Sequence, residues 1–313
     1  MKTRNAVAGR SGVLSSVGAS AIFGVIFGLP PHLVPLGAEQ ILGYRIVLMV
    51  VFLAALFCVA HMWDGVVALV SRMRSAPHLI AILVMDAALL WLQLWLFGWA
   101  PQTGHGLDLS LGYLILPLVM VLVSVTVHGE TLSRLRIAAV VCAAVGVAVA
   151  VGIAGGLRWP TLLVALGFPL YFVSRRASGL DTAGAQLLEL TAMLPFAVYV
   201  LAARPSFHVV ADRPRLLFGL LLLGLLSAAG FALYLKASRV LPFSLFGVLS
   251  YVEPVLLVLV SLTFLRETWE PKDAFTYVPI CTGLALLAFE AVGRKSPTAP
   301  TSRLHDDQTA VTR

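Results

Sequence analysis

Four ionisable residues stand inside long apolar runs: Arg45, Asp86, Glu189 and Glu253. A charge at the centre of a membrane helix costs roughly 2.5–3.5 kcal/mol on insertion scales, so each needs a use or a partner. Glu253 lies nearest the middle of its run and immediately precedes Pro254. A carboxylate withdrawn from water holds its proton more tightly, the property a proton-coupling group requires. The alternative is a neutral Glu253 hydrogen-bonded within a helix bundle. In MDAALLWLQLWLFGW (85–99), Asp86 and Gln93 are seven apart and share nearly one helical face. That face should look inward, with Asp86 a second candidate for titration. Trp91, Trp95 and Trp99 follow at i, i+4 and i+8 on another face. This stripe reads as helix or lipid packing, and Trp95 is also a candidate for a solute cavity. Arg45, close to the outer end of its run, either snorkels outwards or neutralises an acid such as Asp86. Glu189, close to the inner end of its own, reads as interfacial.

Such residues need elements that hold them in lipid. The chain of 313 residues is 59% hydrophobic and 12% charged, about half the charged fraction of a soluble domain. Apolar runs long enough for about 30 Å of hydrocarbon fall at 12–31, 40–61, 78–99, 108–128, 134–154, 158–174, 184–203, 214–236, 241–264 and 272–292. They must be helical, because lipid satisfies no free backbone group and no barrel alternation is visible. The run at 12–31 is too long for a signal-peptide core and reads as a retained first span. With the N-terminus inside, Arg72, Arg74, Arg134, Arg136, Arg175, Arg176, Lys236 and Arg239 fall in inner loops, while Arg158, Arg204, Arg213, Arg215, Arg266 and Lys272 fall outside. Together with the basic residues at both ends, this places both termini in the cytoplasm and the protein in the plasma (inner) membrane. The net charge of +7 is then a loop signal and not a sign of nucleic-acid binding.

Two stretches are nearly the same. PLVMVLVSVTVHGET (117–131) and PVLLVLVSLTFLRET (254–268) align without a gap, and the 137-residue offset also brings Gly146 onto Gly283. The copies are five spans apart, so the second enters the membrane from the opposite side. A duplicated, inverted five-helix unit is the expected origin, an architecture recurrent in secondary transporters. Pro117 and Pro254 withhold a donor from the carbonyls of Tyr113 and Ser250, tolerable only against protein or a wet cavity. They therefore predict two kinked helices. Glu130 and Glu267 precede Thr131 and Thr268, and cap the next helix or take part in gating. Gly24 and Gly28 offer a close-packing face. One residue before the matched stretches the halves differ in charge, with Leu116 standing against Glu253.

No GxxxxGK[ST], HExxH or GxSxG occurs, and Cys58, Cys142 and Cys281 lie in apolar runs without metal spacing. No enzyme activity, metal or cofactor is expected.

SLGYLILPLV (110–119) with GE at 129–130, AEQILGYRIV around Arg45, the Tyr171–Glu189 spacing and SYVEPVLLVLVSLTFLRE in the ninth run resemble the RarD branch of the EamA-like drug/metabolite transporter (DMT) permeases. The resemblance covers most of the chain. It implies an all-α integral membrane protein of ten transmembrane helices, two inverted five-helix repeats around a central cavity. Its positions map onto Arg45, Gln93 (Asn in the family), Ser110, Gly112, Tyr113, Pro117, Glu130, Tyr171, Glu189, Tyr251, Pro254 and Glu267. Leu116 replaces a family Asn, Glu253 stands where a small residue is usual, and Asp86 is atypical.

The expected organisation is a cytoplasmic tail at 1–11, repeats at 12–155 and 156–293, and a disordered cytoplasmic tail at 294–313. The expected function is secondary active or facilitative movement of a small organic solute by alternating access, with proton coupling through Glu253. The expected cavity residues are Gln93, Trp95, Tyr113, Ser250, Tyr251 and Glu253. Arg45, Pro117, Glu130, Glu189, Pro254 and Glu267 are structural or gating candidates. A non-transport sensor or assembly factor is the alternative. The expected partners are the lipid bilayer, the solute and protons, and a homodimer is left open.

Overall fold

The apolar runs satisfy their backbones internally, as helices. The computed structural model describes residues 2–128, 132–153, 155–241, 246, 249–263, 271 and 274–293. The helices are α1 (Lys2–Gly28), α2 (Ala38–Val59), α3 (Trp63–Ser75), α4 (His78–Gln102), α5 (Gly106–His128) and α6 (Arg134–Ile153). They continue with α7 (Trp159–Ser178), α8 (Ala183–Ala203), α9 (Phe207–Ala211), α10 (Pro214–Val240), α11 (Val252–Thr263) and α12 (Ala274–Gly293). Among the described residues no strand occurs, and six helices are long and apolar enough to cross a membrane: α1, α2, α4, α5, α8 and α10.

Three local features depart from the sequence reading. The segment 1–11 is helical from Lys2 onwards, continuous with α1. The loop expected between the second and third runs holds the amphipathic α3, whose Val66, Leu69 and Met73 are buried. The ninth run is interrupted: Ser250 and Tyr251 form a turn, and α11 begins only at Val252. Pro254 therefore sits in the first turn of a helix, where its missing N–H removes no intrahelical bond. Pro117 does lie inside its helix. The two prolines thus occupy different places, and the expected matched pair of kinks gives way to one continuous helix and one broken one. Glu130, Glu267 and the tail 294–313 lie outside the described residues.

Packing is reciprocal under the 137-residue shift. A Cβ on Gly146 would come within 2.6 Å of the Thr276 carbonyl oxygen and 2.7 Å of Ile280. A Cβ on Gly283 would come within 2.8 Å of the Ala139 carbonyl oxygen and 3.5 Å of the Ala143 nitrogen. Residues 139, 143 and 146 map onto 276, 280 and 283, so each helix presents the same surface to the other, in antiparallel register. Other contacts also come in such pairs. α1 packs on α10 as α7 packs on α4, and α5 packs on α7 as α11 packs on α1. α2 packs on α8. Large apolar side chains such as Leu122, Leu166 and Phe218 face outwards, the surface that lipid covers.

Candidate transport cavity

Each helix except α3 and α9 contributes to one cavity of about 430 Å³. Phe23 comes from α1, Arg45 from α2, Gln93 from α4, Tyr113 from α5, Ala143 from α6, Tyr171 from α7, Gln186 from α8, Tyr234 from α10, Glu253 from α11 and Gly283 from α12. The walls are mostly apolar, with many aromatic rings, and polar groups interrupt them.

Gln93 is pinned where Gly167 removes a side chain from α7. A Cβ there would overlap the Gln93 amide, whose Nε2 donates to the Leu163 carbonyl at 2.7 Å. Its Oε1 is buried and has no hydrogen-bond partner. Tyr113 is held by ring contacts with Phe97 and Phe168, at centroid separations of 5.9 Å and 5.8 Å. The broken α11 brings Ser250, Tyr251 and Glu253 together at the cavity wall. Glu253 acts electrostatically on Tyr113 and Tyr234.

Arg45 is 4% exposed, and its Nε donates to the Ser227 hydroxyl at 2.8 Å. Ser227 stands midway along α10, so the guanidinium reaches into the bundle and does not snorkel outwards. Its plane lies over Phe97, 5.9 Å from the ring centre, and Tyr113, not Asp86, is the group with which it interacts electrostatically.

Glu189, close to one end of α8, points into the bundle. Fully buried, it accepts from Arg175 Nη1 at 2.6 Å through Oε1, while the Tyr171 hydroxyl donates to Oε2 at 2.9 Å. Arg175, 2% exposed, is therefore no loop charge. Its i, i+4 relation to Tyr171 was the available sequence signal, obscured by Arg176 beside it. Trp95 stacks on Trp99 at 5.4 Å and faces Trp159 at 6.4 Å. Trp95, Asp86, Glu189 and Pro254 are not among the residues that line the cavity, whereas Pro117 is. Tyr234, Gln186 and the lining phenylalanines carry no signal in an apolar run, because hydropathy does not say which way a side chain faces.

Comparison with known proteins gives this geometry a context. The sequence model of the EamA-like transporter family matches residues 161–289. The chloramphenicol-sensitive protein RarD of Pseudomonas aeruginosa is 38% identical over 281 residues, covering 90% of this chain and 94% of that protein. The chain belongs to the RarD-type EamA-like permeases. An uncharacterized transporter of Pasteurella multocida is 35% identical, with 90% and 96% covered, and protein RarD of Salmonella typhimurium 28%, also with 90% and 96% covered. A solved crystal structure shares the fold of this permease at a TM-score of 0.65 and 17% identity, covering 92% of this chain and 99% of that one. The RarD-type permease is thus a multi-pass membrane protein of a transporter family.

Proposed function

We propose that this permease moves a small organic solute by alternating access, as two inverted five-helix repeats of a ten-helix bundle in the plasma membrane, with both termini cytoplasmic. The observation that carries the reading is a cavity reached by helices of both halves. Its volume of about 430 Å³ falls in the range of small-molecule pockets, roughly 300–1,000 Å³. The reciprocal Gly146 and Gly283 contacts support the inverted relation, since an antiparallel pair with equivalent surfaces is what a two-fold axis in the membrane plane produces. The broken α11, with backbone unwound at Ser250–Tyr251 beside the cavity, supports a midplane site, because irregular backbone is tolerated there only when it lines one.

The apolar walls take the body of the solute, and Gln93, Tyr113, Ser250 and Tyr251 supply its polar contacts. Glu253 is the proton-coupling group. It faces Tyr113 on α5 and Tyr234 on α10, with Arg45 on α2 beyond Tyr113. A proton bound at Glu253 changes the charge that a cationic or polar solute meets.

The test is solute movement in liposomes with and without an imposed pH gradient. Chloramphenicol is the first solute to try, in view of the name of the Pseudomonas aeruginosa relative; small aromatic and cationic compounds follow. Glu253→Gln should remove the gradient-dependent component while insertion and yield persist. An unchanged pH dependence in that variant would refute the coupling role, and no protein-dependent movement of any solute would refute transport.

A further inference from the structure

A second buried cluster lies behind the part of the cavity wall formed by Tyr171, Arg175 and Gln186, towards the α3 end of the bundle. Asp86 on α4 is fully buried, and neither carboxylate oxygen has a hydrogen-bond partner. The Ser174 hydroxyl of α7 faces it without closing a bond of good geometry, and the charges of Arg175 on α7 and Glu189 on α8 act on it. Arg175 is already engaged by Glu189, by the Tyr171 hydroxyl at 2.7 Å, by Gln186 Oε1 at 3.2 Å and by the Thr182 carbonyl at 3.1 Å. Asp181 also acts on Arg175 but is exposed.

The other elements packed on α4 offer Asp86 no partner. α2 carries Glu39 and Arg45, α3 carries Asp64, Arg72 and Arg74, α5 carries Asp108 and Tyr113, and the turn before α2 carries His32. None of these is among the groups that act on Asp86, and the described side chains of α1 include no ionisable group. Two buried carboxylates, one bonded to Arg175 and one acted on by it at longer range, therefore depend on one guanidinium at the cavity wall. A second, uncompensated carboxylate charge is the unfavourable state in such surroundings, and a single proton removes it.

We propose that Asp86, Arg175 and Glu189 form a proton-binding site, in which Asp86 carries the proton while Arg175 is engaged with Glu189. Release of that proton to water leaves two carboxylates competing for one cation, and Arg175 is drawn from Glu189 towards Asp86. The competition spans the junction of α4, α7 and α8. α3 closes this end, its Arg72 guanidinium donating to the carbonyls of Ser178 at 2.8 Å and Gly179 at 3.2 Å at the end of α7. Water reaches Asp86 when this end opens, so proton release and opening are linked. Only that link rests on the transport reading; occupancy of the site does not.

The experiment is infrared difference spectroscopy of the purified protein in phosphatidylcholine liposomes, titrated from acidic to alkaline pH in choline chloride. A carbonyl band of a neutral carboxylic acid is expected to disappear as pH rises. Asp86→Asn should remove a component of it that Glu253→Gln leaves in place. Carboxyl-¹³C aspartate in the unsubstituted protein should shift the same component, a readout that needs no variant to fold. A band indifferent to both the label and Asp86→Asn overturns the proposal. So does loss of the aspartate component when sodium replaces choline at constant pH, which would make this a sodium site. The spectrum requires no solute, so a titrating aspartate in a protein that moves nothing would count against the transport reading alone.

Discussion

Arg175 and Arg45 show how two guanidinium groups can be kept in a bundle by different means. Arg175 is neutralised by Glu189 and surrounded by acceptors, whereas Arg45 has a hydroxyl and an aromatic face. Removing one partner of a buried pair strands the other, a loss of about 3–5 kcal/mol, while replacing both by apolar groups is often neutral. Arg175→Met should therefore lower the thermal midpoint in detergent sharply, and Arg175→Met with Glu189→Leu should restore most of it. Equal midpoints for the wild type and the single variant would show that the pair does not stabilise the fold. The sequence placed these charges along their helices but not around them. Depth is counted from the ends of an apolar run, whereas the direction of a long flexible side chain is decided by neighbours on other helices. The burial of Glu189 and Arg175 against one another is for that reason not legible in either run alone.

At the scale of helices, the 137-residue echo is legible because its matched residues stand in register without a gap. What those residues do was legible only in part. Gly146 and Gly283 are small because each lies against backbone of the opposite helix, a contact that no single run reveals. Overpacking a tight contact costs typically about 1–3 kcal/mol. Gly146→Val and Gly283→Val should each lower thermal stability by that order, and by similar amounts if the two surfaces are equivalent. A large loss for one and none for the other would break the equivalence. Gly24 and Gly28 of α1 serve a looser contact: a Cβ on Gly24 would come within 3.5 Å of Leu256 and one on Gly28 within 3.3 Å of Val260 of α11. The break before α11 was missed because its sequence, LSYVEPVLLVLV, is as apolar as a continuous span. The turn at Ser250–Tyr251 answers to tertiary surroundings and not to local propensity.

For the whole molecule, a cavity bordered by both halves has a consequence that a merely packed bundle lacks. If the halves rock about it, Tyr113 on α5 and Ser250 before α11 become wet from one side of the membrane at a time. Cysteines at these positions, with Cys58, Cys142 and Cys281 replaced, should react with a membrane-impermeant thiol reagent. The reactive side should change when a transported solute is present on one face, because a ligand shifts a two-state equilibrium only through its different affinity for the two states. A position in a sealed core would label from neither side, and one in a static channel would label from both without responding to solute. No labelling at either residue, under any condition, would remove the cavity as a transport route. The same cysteines examined in Glu253→Gln separate two roles for that carboxylate. If its proton selects which face is open, the side that labels should lose its response to pH. If it acts only in solute binding, the pH response should remain while the solute response weakens.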